Sequence, residues 1–335
     1  MATLNSYSQL TLKELANRRD PDGQLATIVE ALAEDNEVLQ DAPFYEGNDV
    51  FSNRTTRRSS LPSGSWRKVN EGVGTEASGT VQVIDTIGIL ETYSEVDKIL
   101  VDSAPNPKQF RSDEDMAFVE GLGQTLAATI WYGNASTTPE TFTGFVPRMD
   151  ALAATTNVIG GGGTGSDLTS IFIVQWGRNK CHMVYPRNYA KSLGISMEDL
   201  GEDTLVESVE NASGVTTSTT RRQIYRSFFQ ARAGLVVRDA ECMARYCNIE
   251  STGSSNIFDE DNLIKLMTRM KNRGRGAMLY ANDTIFAQMQ IRLKDKSNIY
   301  FSRDDGLDGG GPVMRFNGAP IRLSDQILIT ESALS

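Results

Sequence analysis

The run Ser112-Asp-Glu-Asp-Met-Ala-Phe-Val-Glu-Gly-Leu-Gly-Gln-Thr-Leu-Ala-Ala-Thr-Ile-Trp-Tyr-Gly133 reads as the most clearly marked helix in the chain. Ser112 stands at its N-cap, with Asp113, Glu114 and Asp115 in the first turn and Asp115 at the capping-box position. Phe118, Leu122, Leu126 and Ile130 recur every fourth residue, and Gly133-Asn134 stops the run. A helix over 112–133 is ~30 Å long at 1.5 Å per residue. Its single narrow stripe predicts one packed side and one more polar side.

Upstream, the segment 46–100 changes character. Between Arg54 and Lys68 lie five basic residues (Arg54, Arg57, Arg58, Arg67, Lys68) and no acidic one. Leu61-Pro62-Ser63-Gly64 supplies a turn. Val81, Val83, Ile87 and Ile89 then alternate with Gln82, Ile84, Gly88 and Leu90 at strand period. This predicts a long β-hairpin with a wide basic and polar tip, too poor in apolar residues to stand alone. The basic cluster could hold phosphate, but bridging to an acidic neighbour fits an acidic chain better. Residues 1–45 read as an arm of helix fragments. Leu25, Ile28 and Leu32 share one helical face between Asp20-Pro21-Asp22-Gly23 and Asp41-Ala42-Pro43. A stripe that cannot be buried alone must dock on its own chain or on a neighbour.

Downstream, 167–250 is mostly strand. Ile171-Phe172-Ile173-Val174, Met183-Val184-Tyr185 and Gly234-Leu235-Val236-Val237 are the clearest pieces, and 195–220 reads as an acidic excursion between them. Residues 259–272 form a capped helix with Leu263, Leu266, Met267 and Met270 inward, broken by Gly274-Arg275-Gly276. Ala277-Met278-Leu279-Tyr280 is a strand. Asn282 caps a further helix with Ile285, Met289 and Leu293 inward. Phe316-Asn317-Gly318-Ala319-Pro320-Ile321-Arg322 closes the chain as strand–turn–strand. The alternation from 259 to 322 predicts an α/β layer.

Composition narrows the function. The 335 residues are 39% hydrophobic and 23% charged, which is globular, with no apolar run of membrane-spanning length. Met1-Ala2-Thr3-Leu4-Asn5 lacks a basic stretch before an apolar block, so no signal peptide is expected. The net charge is −10, from 33 basic and 43 acidic residues, which disfavours tight wrapping of nucleic acid. Cys181, Cys242 and Cys247 make no disulfide framework or zinc-knuckle pair and read as small buried hydrophobes in a reducing compartment. The single histidine, His182, sits next to Cys181 in a strand, where neighbours point to opposite faces, so a Cys–His dyad is disfavoured.

Gly160-Gly161-Gly162-Gly163-Thr164-Gly165 formally fits nucleotide-loop patterns, but Ser166 stands where a phosphate loop needs Lys, and a flexible loop is the expected reading. Asp304-Asp305-Gly306-Leu307-Asp308-Gly309 hints at a calcium loop, but Arg315 occupies the twelfth position where Glu is needed, leaving a mobile loop tip. No catalytic residue, cofactor or metal site is expected. A docking arm, a projecting hairpin, one long helix and a mixed body describe a subunit that holds its neighbours.

These residues resemble a known family. Asp20-Pro21-Asp22-Gly23, Leu61-Pro62 to Trp66-Arg67, Asn70-Glu71-Gly72-Val73, the helix 112–133, Gly234 to Asp239, and Phe316 to Arg322 with Asp325 resemble the major capsid proteins of tailed bacteriophages, nearest the short-tailed epsilon15-like group. The resemblance implies an α+β, Hong Kong 97-like fold: N-terminal arm 1–45, extended loop 46–100, peripheral domain with spine helix 101–150, a mixed β region 151–258 shared between peripheral and axial domains, and an axial α/β region 259–335. Here strands at 222–250 precede the helix–strand–helix block, which resembles a permuted connectivity of that fold.

The implied function is a structural, non-enzymatic coat protein that self-assembles through hexamers and pentamers into the icosahedral head of a double-stranded DNA phage. Scaffolding, portal and decoration proteins are further implied partners, with no membrane and no sequence-specific DNA contact. Assembly would occur in the host cytoplasm, and the product is the virion. Arg57, Arg58 and Arg67 are the expected loop contacts to a neighbour, and Leu25, Ile28 and Leu32 the arm contacts. Some relatives crosslink their shells through Lys and Asn. Lys68 lies on the loop, but no Asn or Glu matches, and a noncovalent shell is expected. The rival readings are an encapsulin-type compartment, a glycine-loop nucleotide-binding enzyme, and a tail or decoration protein.

Overall fold

The strand Leu168-Thr169-Ser170-Ile171-Phe172-Ile173-Val174 is buried at every position, as befits a central strand covered on both faces. Ile171 and Ile173 enter one apolar cluster, while Phe172 and Val174 enter another. Strand period 2 thus divides one sequence run between two core layers. The computed structural model describes residues 36–152, 157–187, 195–210, 216–253, 255–293, 301–304 and 313–335. The expected arm contacts Leu25, Ile28 and Leu32, and most of the 304–309 loop, lie outside the described residues.

In chain order the first strands are β1 (Phe44–Glu46), β2 (Ser52–Ser60), β3 (Gly79–Thr86), β4 (Gly88–Asp97), β5 (Val158–Gly160), β6 (Leu168–Val174) and β7 (Cys181–Tyr185). They are followed by β8 (Ile195–Glu210), β9 (Thr216–Val237), β10 (Met243–Glu250), β11 (Met278–Ala281), β12 (Phe301–Asp304), β13 (Val313–Phe316) and β14 (Ala319–Leu323). The chain divides into two compact units. The described residues of one fall within Ile89–Gln124 and Lys191–Ala231; the other comprises Glu34–Gly88, Thr125–Ala190 and Arg232–Ser335.

The larger unit is built on a seven-stranded sheet in the order β12-β13-β14-β11-β6-β10-β5. β6 runs antiparallel to both β10 and β11, with Ile173 opposite Ala244 and Leu279. The helices Glu260–Arg269 and Asp283–Leu293 cover one face, where Leu263, Leu266, Met267, Ile285 and Met289 meet Ile171, Ile173 and Leu279. Asp259 caps the first helix, and Asn282 Oδ1 accepts from Ile285 N at 3.0 Å to cap the second. Asn317 and Gly318 have φ of 48° and 81°, the paired left-handed geometry of a two-residue hairpin turn, and bring Phe316 opposite Ala319.

Behind the other face lies Trp131, wholly buried, with its ring 4.7 Å from Phe172 and its Nε1 donating to Ser324 Oγ at 2.9 Å. Ile130, Phe145, Cys181, Met183 and Leu235 complete this cluster. β7 lies parallel to β1 and antiparallel to the end of β9, with Met183 opposite Leu235.

The smaller unit holds the β8–β9 ribbon, paired from Ile195–Ala231 to Glu210–Thr216. Its apolar cluster is Val96, Leu100, Val101, Ala104 and Phe110, with Tyr225 packed against them. Over 195–210 and 216–220 the acidic excursion is therefore strand. Its carboxylates have partners: Lys98 bonds Glu202 at 2.7 Å, Arg111 bonds Asp199 at 2.5 Å, and Arg226 bridges Glu95 and Asp203. Residues 197–200 of β8 are exposed at every position, so this part of the strand has no buried/exposed alternation to read in the sequence.

Two further expectations change. The long helix spans Pro107–Tyr132, ~39 Å, and starts before Ser112. Proline suits the first helical position, and Asn106 Oδ1 accepts from Gln109 N at 3.4 Å. Asp113 and Asp115 are instead interior: Asp113 accepts from Gln109, and buried Asp115 accepts from Ser227 Oγ at 3.0 Å. The hairpin is β2 with β3, a separate two-stranded sheet, whereas β4 pairs with β9.

Candidate assembly interface

The three cysteines and the single histidine are all buried. All three cysteines are free. Burial pushes the Cys181 thiol up; burial, with Asp239 nearby, raises Cys242 to about 11, and burial raises Cys247 to about 11. None is a thiolate at neutral pH. His182 is 3% exposed, its ring edge-on to Tyr45 at 5.2 Å. Burial first, then the Arg238 charge, lowers its pKa to about 4, so the imidazole is neutral. Among the described residues no group of three or more His, Cys, Asp or Glu side chains is placed to hold a metal ion. Among them, no helix is long and apolar enough to cross a membrane.

The glycine run is a packed loop. Gly161 N donates to Cys247 O at 2.8 Å and Gly163 N to Asn248 O at 3.0 Å, so these amides are not open to a phosphate. A Cβ on Gly161 would lie 2.8 Å from Asn248 O, and one on Gly163 would lie 2.6 Å from Leu168 Cδ2. Glycine serves close approach to β10 here, not flexibility.

The β2–β3 hairpin is different. Its base is anchored within the larger unit. Asp85 accepts from Arg148 Nη2 at 2.9 Å, with side chains 3% and 15% exposed. The same nitrogen donates to Thr143 O and Leu235 O, each at 3.1 Å. Asn53 and Thr55 are buried and bonded to each other. Beyond Ser60 every residue from 61 to 78 is exposed. Trp66 is fully exposed, with Leu61 at 74%, Val69 at 88% and Val73 at 49%. The tip is nonetheless shaped: Glu76 accepts from Ser63 N at 2.6 Å and Gly64 N at 3.2 Å, and these bonds hold its carboxyl below the usual range.

The three arginines expected on the loop have distinct places. The Arg57 guanidinium donates to Val237 O of its own chain and is half-buried. Arg58 is exposed opposite Thr80. Arg67 is exposed and donates to Glu71 O at 3.0 Å across the tip. The structure brings Arg67 beside Trp66, Val69 and Glu71 in one tip and leaves Arg57 on the strand below. In the sequence Trp66 stands out only as part of the stretch from Leu61 to Arg67, not as a contact, and the Asp85–Arg148 pair does not stand out at all. A tryptophan between Pro62 and Gly72 in an otherwise polar stretch was the available signal; the anchor joins residues far apart in the chain and had none.

The mixed helix and sheet architecture matches phage capsid structures. The near-atomic structure of bacteriophage Epsilon15 is similar at a TM-score of 0.70 and 28% identity, over 100% of this chain and 99% of that one. The bacteriophage JBD30 capsid is similar at 0.47 and 12% identity, over 90% and 94% of the two chains. The SrpI encapsulin of Synechococcus elongatus PCC 7942 is similar at 0.41 and 11% identity, over 73% and 98%. The last two are distant in both sequence and structure. No curated protein sequence matches the chain. The family model for major capsid protein GP7 matches residues 20–335, nearly the whole length. A chain with buried, inert thiols, a neutral histidine and an anchored hairpin ending in an exposed tryptophan has the build of a subunit, and it belongs to the major capsid protein GP7 family.

Proposed function

We propose that this major capsid protein closes into the icosahedral head of a tailed double-stranded DNA bacteriophage, acting by contacts between its own copies in hexamers and pentamers, without catalysis. The observation that carries this reading is the hairpin tip, exposed from 61 to 78 with Trp66 uncovered. Aromatic and arginine side chains side by side are what the centre of a protein interface uses. In an assembled shell, Trp66, Leu61 and Val69 fill an apolar depression on an adjacent copy, while Arg58 and Arg67 meet acidic side chains there. Arg57 sets the strand from which they project. Leu25, Ile28 and Leu32 of the arm dock on a neighbouring copy. Scaffolding, portal and decoration proteins act around this lattice in the host cytoplasm, and the shell encloses DNA without reading its sequence. Each contact is modest and closure multiplies it.

Electron microscopy and sedimentation of the recombinant protein test this. Wild type is expected as shells, or rings of five and six. Trp66→Ala combined with Arg67→Glu is expected to keep the wild-type circular dichroism and thermal melt but form neither. Normal shells from that folded variant would remove the tip from the interface.

A further inference from the structure

We propose that the basic turn between the helix Glu260–Arg269 and strand β11 is a contact for the phosphate backbone of duplex DNA; the inference rests on the DNA-enclosing shell reading above. From 262 to 282 the chain carries Lys265, Arg269, Lys271, Arg273 and Arg275 and no acidic residue, although the whole chain is at −10. Lys271, Asn272, Arg273 and Arg275 are all exposed.

The backbone of this turn is unusual. Asn272 (φ 53°, ψ 29°), Arg273 (φ 55°, ψ 41°) and Gly274 (φ 70°) are three consecutive left-handed residues. Arginine disfavours that region, and such conformations persist only where the surroundings impose them. The surroundings do so here. Arg273 N bonds Met270 O at 3.0 Å, Arg275 N bonds Asn272 O at 3.2 Å, and Ala277 N bonds Gly274 O at 3.0 Å. From beneath, wholly buried Gln175 donates its amide to Lys271 O and Arg275 O, each at 3.1 Å. The result is a fixed turn that presents cations.

Lys271 is paired with Asp239. Among the described residues, the Arg273 and Arg275 side chains have no ion pair or hydrogen bond. Their planar guanidinium groups suit the paired oxygens of a phosphate. The run Lys271-Asn272-Arg273-Gly274-Arg275-Gly276 has no apolar side chain to anchor a protein partner. The hairpin tip, by contrast, sets Trp66, Leu61 and Val69 among its arginines. Cations without an apolar anchor fit a polyanion. In an acidic shell such a contact is weak, sequence-independent and sensitive to salt.

The test is fluorescence anisotropy of a short labelled DNA duplex titrated with full-length unassembled protein across a salt series, with shell assembly measured on the same preparations. The variant is Arg273→Asn with Arg275→Gln, since asparagine tolerates the left-handed region. A control, Lys108→Gln with Arg292→Gln, removes two exposed charges elsewhere. Wild-type affinity should fall steeply with salt. The turn variant should lose about tenfold at low salt with a shallower salt slope, and the control less than about twofold. Absence of duplex binding by wild type, or equal losses in variant and control, would overturn the proposal. So would a turn variant that binds duplex normally but fails to assemble, which would make the turn a subunit contact. Failure of wild type to form shells is a separate result, and it counts against the shell reading.

Discussion

Arg245 and Glu331 show what single residues do in this fold. Their side chains are 4% and 5% exposed and meet at 3.0 Å. Arg245 also reaches Ser170 Oγ at 3.0 Å and Met149 O at 3.1 Å, while the hydroxyls of Tyr132 and Ser170 donate to Glu331. Burial first, then the Glu331 charge, raises the Tyr132 phenol, which stays protonated. A charge pair satisfied on all sides specifies where the C-terminal segment sits, even where an apolar core would be equally stable. His182 is the residue whose protonation matters near neutral pH. Its pKa falls from an ordinary 6.5 to about 4 in the fold. The unfolded chain therefore binds the proton first as pH drops. The contribution of His182 is fully present above pH 6.5 and declines toward pH 4, by on the order of 3 kcal/mol in all. Arg238 and Arg178 both oppose a charge on the ring. His182→Gln should therefore show a shallower loss of stability between pH 7 and pH 5 than wild type, read from urea midpoints. Parallel pH profiles for the two proteins would contradict this assignment.

At the scale of elements, close backbone approach and anchoring decide more than propensity does. The loop after β5 lies against β10 at Asn248, itself at φ 55° where the β6–β10 register shifts. A Cβ on Gly163 would lie 2.8 Å from Asn248 O as well as 2.6 Å from Leu168 Cδ2. Gly163→Ala is expected to cost about 1–3 kcal/mol in chemical denaturation. A cost near zero would mean the loop moves freely, as its glycine content suggests in the sequence. The hairpin illustrates anchoring. Its strand pairing is readable from alternation, yet its position depends on Asp85 meeting Arg148 and on Arg57 meeting Val237 O. The long helix shows the reverse case. Its stripe is right, with Leu122, Leu126 and Ile130 buried, but its start is not, because the carboxylates that resemble a cap serve contacts from inside the helix.

At the scale of the whole molecule, the fold of a phage capsid protein serves self-assembly into an oligomeric shell, the head of the virion. Residues 61–78 are all exposed in their own subunit, so they contribute little to its stability. Replacing 62–77 by a short Gly-containing turn should leave the unfolding midpoint within ~0.5 kcal/mol of wild type while abolishing shells. A large loss of subunit stability would place the tip in the subunit's own core. The sequence by itself determined the elements whose pattern is local. The apolar strand run 171–174, the caps at Asp259 and Asn282, the turn at Asn317-Gly318 and the alternation around 81–89 are set by neighbours a few residues away. Only the tertiary structure decided that the acidic stretch 195–210 is a strand, because its cations Lys98, Arg111 and Arg226 come from distant segments. Only it pinned the basic turn through Gln175, about a hundred residues earlier in the chain. Pairings of that kind leave no periodic trace in the chain, because they depend on which segments fold back on each other.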